Sequence, residues 1–323
     1  MKVIYLSITF LFFTIHVNAQ QWVEFTQQNH YNLFLNTAYT AYNSNIKTTV
    51  AHRSQYTFLT KRAIASQFGE FSTPVFKKNY GVGLKVVNDF IGYQRYTLVE
   101  LTGAYHLEIK KSRLSFGVGV GVVNLNINGE ELRASAGDYE NEVVIHNDEL
   151  LPNINVGGVS PTFSFGMIYK FQEFELGAAI QNVNSPDISL LKFNGVTNVN
   201  IDRTINLHSS YVIRMTNVNI KPMVNYNTDF VKHQIQMGIN TEINNIYFGM
   251  SFRGYSGQNN DAVMGEIGIK IKDKIRIGYS YDYNVSFLNN SNYGSHEISI
   301  SYTVPKAFKI KNKGNVLFNP RFL

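Results

Sequence analysis

Few side chains in these 323 residues are placed to do chemistry. There is no cysteine, which excludes thiolate nucleophiles, thiolate metal sites, disulfides and a lipid-modified N-terminal cysteine. Histidines at positions 30, 52, 106, 146, 208, 233 and 296 are scattered, with no His-Glu-x-x-His spacing that would hold zinc. His208 stands beside Ser209 and Ser210, but a hydrolytic set also needs an acid held by a neighbouring element. No Gly-x-Ser-x-Gly elbow is present. Gly117-Val-Gly119-Val-Gly121 lacks the lysine of a phosphate loop and continues in a strand pattern; its small residues leave space for a neighbouring segment. The acids Glu130, Glu131, Asp138, Glu140, Glu142, Asp148 and Glu149 crowd one stretch against a single base, Arg133. Hard cations take oxygen ligands, yet no Asp-x-Asp-x-Asp-Gly loop occurs, so the stretch reads as a solvated loop. The sequence predicts no enzyme, no metal and no cofactor.

The elements around these residues are more informative. Charged residues are only 16% of the chain, against about 25% in an ordinary soluble domain, and 14% are aromatic. Lys2, the apolar run Val3 to Val17 and the short side chains Val17-Asn18-Ala19 read as a secretory signal over residues 1–19, too short for a comfortable anchor. Beyond it the recurring pattern is alternation. In 274–285, Ile275, Ile277, Tyr279, Tyr281, Tyr283 and Val285 share one face; Arg276, Gly278, Ser280, Asp282 and Asn284 share the other. Similar segments lie near 45–58, 62–73, 79–90, 93–108, 112–128, 159–170, 172–184, 203–215, 217–229, 231–242, 244–255, 260–272, 274–286 and 292–303. Soluble strands average about five or six residues, whereas a tilted bilayer-crossing strand needs about nine to eleven. The expected fold is all-β, a transmembrane antiparallel β-barrel of about fourteen strands over 45–303.

Short polar turns near Lys110-Lys111, Phe171-Gln172, Thr216, Ile243-Asn244 and Asp273 alternate with longer links at 129–158 and 185–202. Outer-membrane barrels place short turns in the periplasm and long loops outside. With fourteen strands, both termini and every short turn are expected on the periplasmic side. The inward Glu175, Glu266, Asp282, Lys221 and Lys270 suit a wet or plugged bore. Residues 20–44 carry apolar side chains that need burial, and read as a lumen-associated plug or a lead-in at the rim. Residues 304–323 hold Lys306, Lys309, Lys311, Lys313 and Arg321 without an acid, a basic periplasmic tail suited to docking a partner or meeting anionic lipid. The formal charge of +6 is dispersed, and nucleic-acid binding is not expected.

Phe25-Thr26-Gln27, followed by Asn36-Thr-Ala38-Tyr39-Thr-Ala41, and the ending Asn319-Pro320-Arg321-Phe322 resemble the PorP/SprF family of type IX secretion system membrane proteins of Bacteroidota. Thr37 stands where the family usually has proline, and the expected glycine does not follow. The resemblance implies a non-enzymatic outer-membrane component of the secretion or gliding machinery. Such a component helps export or anchor a cell-surface adhesin through a type B C-terminal sorting domain, and associates with periplasmic components. Partner contacts are then expected at Phe25, Thr26, Gln27, Asn36 and Tyr39, at the loop acids Glu130, Glu131 and Asp138, and at Lys309, Lys311, Lys313, Asn319, Pro320, Arg321 and Phe322. The alternative function for such a barrel is a passive channel or hydrophobic-solute transporter.

Overall fold

The structure is a computed structural model describing residues 23–55, 64–75, 79–135, 137–139, 144–148, 151–192, 195–255, 259–285 and 294–304. The signal reading and the tail residues Lys309, Lys311, Lys313, Asn319, Pro320, Arg321 and Phe322 fall outside these described residues. The strands are β1 (Ile46–Gln55), β2 (Ile64–Val75), β3 (Tyr80–Ile91), β4 (Gln94–Ile109), β5 (Ser112–Asn128), β6 (Asn155–Phe171), β7 (Phe174–Gln181), β8 (Asp187–Lys192), β9 (Gly195–Asn200), β10 (Thr204–Tyr211), β11 (Ile213–Arg214), β12 (Val218–Thr228), β13 (His233–Ile243), β14 (Ile246–Tyr255), β15 (Asn259–Ile271), β16 (Ile275–Asn284) and β17 (Ser295–Val304).

Each wall strand pairs antiparallel with its neighbour in sequence, β10 with β11 makes one interrupted wall strand, and β1 pairs with β17. The result is a closed barrel of 14 strands. Closure satisfies the ladder hydrogen bonds internally, the condition for crossing lipid with strands. Alternation then sorts the side chains. Leu114, Phe116, Val118, Val120 and Val122 of β5 point outward, while Ser115, Gly117, Gly119 and Val123 point into the bore. The outward apolar run spans about 26 Å along the strand at ~3.3 Å per residue, or about 20 Å of height at a tilt of ~40°, most of the ~25 Å lipid-facing band of such barrels. Above it the outward residues become Asn124, Asn126 and Asn128. Outward aromatics flank the band: Tyr80, Tyr105, Tyr169, Phe174, Tyr211 and Tyr302 at one end, Tyr226, Phe230 and Tyr283 at the other.

The strand that starts the barrel and the strand that ends it meet at one end, here the terminal end, where Ile46 faces Val304. Turns there are tight; Lys110, Gln172 and Asn244 take φ of 52°, 53° and 52°, the left-handed backbone that two-residue hairpins demand. The long connections 129–154 and 182–203 lie at the opposite, loop end. One expectation is corrected: Gly92-Tyr93 joins β3 to β4 by an equally tight turn at the loop end, so short turns are not confined to one side. The longer link at 185–202 has structure of its own. It contains the hairpin β8–β9, whose Ile188 and Leu190 pack with Val123, Leu125 and Val156 of the inner wall.

A lysine at Val120, which faces lipid, is expected to cost about 2–4 kcal/mol, whereas Asn126→Lys, outward but beyond the apolar run, should cost little. Urea unfolding of the two variants in liposomes, followed by heat-dependent gel migration, measures the difference.

Candidate functional site

The bore is occupied by the chain's own residues 23–45. They form two single 3-10 turns, Gln28–His30 and Thr37–Tyr39, and a one-turn helix, Asn32–Leu35. So irregular a segment cannot satisfy its own backbone donors, and buried N–H groups need partners. Barrel carboxylates supply them. Glu297 of β17 accepts from the N–H groups of Thr26 (2.6 Å) and Gln27 (3.0 Å) and from the Tyr31 hydroxyl (2.6 Å). Glu70 of β2 accepts from the Leu33 N–H at 2.8 Å and from the Thr49 hydroxyl at 2.8 Å, and pairs with Lys47 at 2.7 Å. Those carboxylates are themselves neutralised. Arg53 of β1, 1% exposed, lies 2.7 Å from Asp282 and 3.7 Å from Glu297, and donates to the Thr26 hydroxyl at 2.5 Å. Thr26 donates in turn to Asp282, and Arg253 of β14 joins Asp282 (3.1 Å) to Glu24 (3.2 Å). A second buried pair, Lys85 with Glu100 at 3.2 Å, braces β3 against β4.

Lower in the bore the plug lies against a wall of small residues. A Cβ on Gly117 would run into the backbone of Thr37 and Ala38, and one on Gly166 into the Asn36 side chain. Of the run singled out in sequence, Gly117 makes space for the plug backbone, whereas Gly119 makes room for the Glu100 and Ser164 side chains and Gly121 lies against Val99 and Glu100 of β4. Asn36 donates to the carbonyls of Met167 (3.1 Å) and Ala178 (3.0 Å) while its oxygen caps the Ala38 N–H at 2.9 Å. The Tyr39 hydroxyl donates to Glu175 at 2.5 Å and lies 3.1 Å from His208 Nε2. The other nitrogen of His208 meets Asn206 at 3.0 Å, so its ring serves the plug and not the adjacent serines. His30 sits between Glu266 (3.0 Å) and Arg276 (2.5 Å); burial, with the Arg276 charge beside it, holds its imidazole below the usual range.

The plug separates two sets of cavities. A cup of about 560 Å³ opens at the loop end, floored by Phe25, Gln28 and Phe34. One wall is apolar (Val87, Ile91, Leu98, Leu125, Ile127, Val199, Ile201) and the other polar (Asn206, Asn227, Gln234, Gln236). Toward the terminal end two spaces of about 390 and 350 Å³ share Asn29, His30, Lys270 and Arg276. Val23 and Glu24 line the cup. The first described residues and the end of β17 therefore lie at opposite ends of the bore.

Among the residues singled out from sequence, Phe25, Thr26, Gln27, Asn36 and Tyr39 come together inside the bore, bonded to or packed on the barrel's own residues. Glu130, Glu131 and Asp138 are exposed in the connection after β5. Strand β6 begins at Asn155, earlier than expected, so that connection is shorter than 129–158. It is organised by a residue the sequence did not single out. Buried His146 bonds through Nε2 to the carbonyls of Gly129 and Pro152, both at 3.0 Å, and through Nδ1 to the Tyr139 hydroxyl at 2.9 Å. Arg53 and Glu297 were also missed, although the alternating phase of β1 and β17 aims both inward.

A closed, lipid-belted barrel with a folded-in plug is an outer-membrane β-barrel protein. The chain belongs to the family described as type IX secretion system membrane protein PorP/SprF, whose sequence model matches residues 17–302. No curated relative matches. Among solved structures, the CymD monoaromatic hydrocarbon channel is 10% identical with a TM-score of 0.52, over 86% of this chain and 93% of that one. The P. putida toluene transporter TodX is 9% identical at 0.49, covering 86% and 94%. A Pseudomonas aeruginosa FadL homologue is 11% identical at 0.48, covering 83% and 90%. At such identities the CymD likeness shows the shared barrel fold alone.

Arg53→Met is expected to leave Glu297 without its cation and Asp282 with Arg253 alone, a loss of up to about 3–5 kcal/mol, the range typical of halving a buried ion pair. In planar bilayers the variant should show frequent long openings where the parent shows brief rare ones, and limited proteolysis should cut near residues 23–45.

Proposed function

We propose that this protein is a non-enzymatic docking component of the type IX secretion apparatus. In this reading the barrel sits in the outer membrane with its terminal end toward the periplasm. Its loop end binds a secreted surface adhesin through a C-terminal sorting domain of type B, which helps export or retain that adhesin. The tail region 304–323 meets periplasmic components of the secretion or gliding machinery and the membrane lipid beside it. Phe25, Thr26, Gln27, Asn36 and Tyr39 contribute by holding the plug, while Glu130, Glu131 and Asp138 present an acidic surface to the partner.

The observation that carries this reading is the plug. A segment tied to Arg53, Glu70, Glu175, Asp282 and Glu297 fills the bore that a passive pore would keep open. A rigid closed barrel suits anchoring better than permeation, and the family membership supports a place in the secretion machine. A second reading rests on the cup. Its apolar wall of Val87, Leu98, Leu125 and Ile201, on a fold shared with a hydrocarbon channel, suits uptake of a hydrophobic solute.

Deletion of the gene followed by surface proteomics separates the two. Loss of one or a few large surface proteins, with liposome swelling and hydrocarbon uptake unchanged, is the expected outcome. An unchanged surface protein set with slower hydrocarbon uptake would refute the docking reading.

A further inference from the structure

The barrel rim is not level. Strand β7 ends at Gln181, and β10 and β12 stop at matching heights, with Thr204 facing Gln181 and Thr228 facing Ile205. Strand β6 continues past them from Ser164 up to Asn155, supported on one side by β5 through the pair Asn128 and Asn155. The side facing β7 has no strand beside it above Phe165. Hairpin β8–β9 does not fill the gap. It stacks on the inner face, where a Cβ on Gly158 would strike Ile188 and Ser189.

Backbone parity identifies the groups left open. Phe163 donates its N–H to the Asn184 side chain (3.3 Å), accepts from the Val183 N–H (3.0 Å), and Asn184 also donates to the Pro161 carbonyl (2.8 Å). All of these bonds face the β7 side. The β5–β6 register is continuous, so the N–H and C=O groups of Gly157 and Val159 face the same way. Among the described residues they have no hydrogen-bond partner there. Val159 is 62% exposed, and it pairs with Asn124, beyond the apolar run of β5. The edge therefore stands in water, where an unpaired edge is permitted and where it is also a template for another strand.

We propose that the outer edge of β6, from Asn155 to Val159, is a β-strand addition site for an extended segment of the exported polypeptide. This deepens the docking reading and rests on it. Only another backbone carries donors and acceptors at the two-residue spacing that Gly157 and Val159 present, and such addition is a recurring mode of peptide recognition. On the outer face the Asn126 side chain lies over Gly157, a polar neighbour for the incoming strand. Asn184 ends the open run on the membrane side by occupying the strand's next hydrogen-bonding position. The adjoining connection and hairpin present Glu130, Asp138, Asp148 and Asp187 at their surfaces, so the complementary segment carries lysine or arginine beside its apolar positions.

The test uses the parity. Proline at 157 or 159 removes a donor that faces the gap and leaves the β5–β6 ladder intact; the strand already carries a proline of the same parity at 161. With a photoreactive phenylalanine analogue at Asn155 of the full-length protein in cells, a crosslink to the exported polypeptide is expected. Gly157→Pro and Val159→Pro should each cut its yield at least tenfold, and Val159→Ala should not. Heat-dependent gel migration checks that the proline barrels fold. Should they fail to fold, amide exchange in the unmodified complex decides: Gly157 and Val159 should be protected at least tenfold relative to the barrel alone. Full crosslinking in folded proline variants, a product of twice the chain's own mass, or unprotected amides would overturn the proposal. If deletion of the whole protein removes surface adhesin but the proline variants do not, the edge is wrong while the docking function stands; if deletion removes none, the docking function itself fails.

Discussion

A backbone amide in lipid has no water to turn to, and that single constraint organises this protein. It forces the wall to close on itself, which the pairing of β1 with β17 achieves. Closure fixes the alternation, and alternation sends Val118 and Val120 to the hydrocarbon while Ser115 and Gly117 face the bore. The same constraint applies again inside. The plug is largely buried in the bore, so its irregular backbone must find partners among the barrel's own residues. Glu297 and Glu70 are aimed at the amides of Thr26, Gln27 and Leu33 for that reason.

Buried ion pairs are weak sources of net stability, because desolvation consumes most of the Coulombic gain. Their placement here assigns them a geometric role. Arg53 and Glu297 face each other directly across the closing seam between β1 and β17, and Asp282 comes from β16 beside it. The site that grips Thr26 therefore does not exist until the seam has closed. The plug, in turn, supplies hydrogen bonds to carboxylates that would otherwise be left partly unsatisfied. Closure and plug docking are in this way coupled: each removes a penalty the other would leave.

Much of the wall was legible in sequence because its signal is local. Period-two alternation in 274–285 needs no knowledge of the rest of the chain, and inward Asp282 and outward Tyr283 follow from it directly. The short wall strand near 203–215 was located, but its interruption at Val212 was not, since a break in pairing leaves no mark in alternation. Hairpin β8–β9 was passed over because its strands are shorter than a bilayer crossing, although Asn194-Gly195 is a strong hairpin signal. The plug's partners were illegible for a different reason. Thr26 and Glu297 are separated by almost the whole chain, and only the closed register brings them together. His146 likewise holds its loop through the carbonyls of Gly129 and Pro152, contacts that carry no residue-type signature.

The height of the wall carries information that its strand count does not. Lipid demands pairing only within its own thickness, and the change from Val122 to Asn124 on the outside of β5 marks where that demand ends. Among the described residues the neighbours are zipped in register, apart from the break at Val212 and a bulge near Arg253 and Gly254. Above it the chain is released from the rule, and it uses the freedom unevenly. Strands β3 to β6 stay paired well above it, through Ile91 with Gln94, Gln94 with Ile127 and Asn128 with Asn155, while β7 and β10 stop and the intervening chain folds inward as β8–β9 over the cup. On the docking proposal, that rim offers a ledge, an adjoining hollow and an acidic margin to one polypeptide, all supported by a cylinder whose pairing the membrane itself enforces.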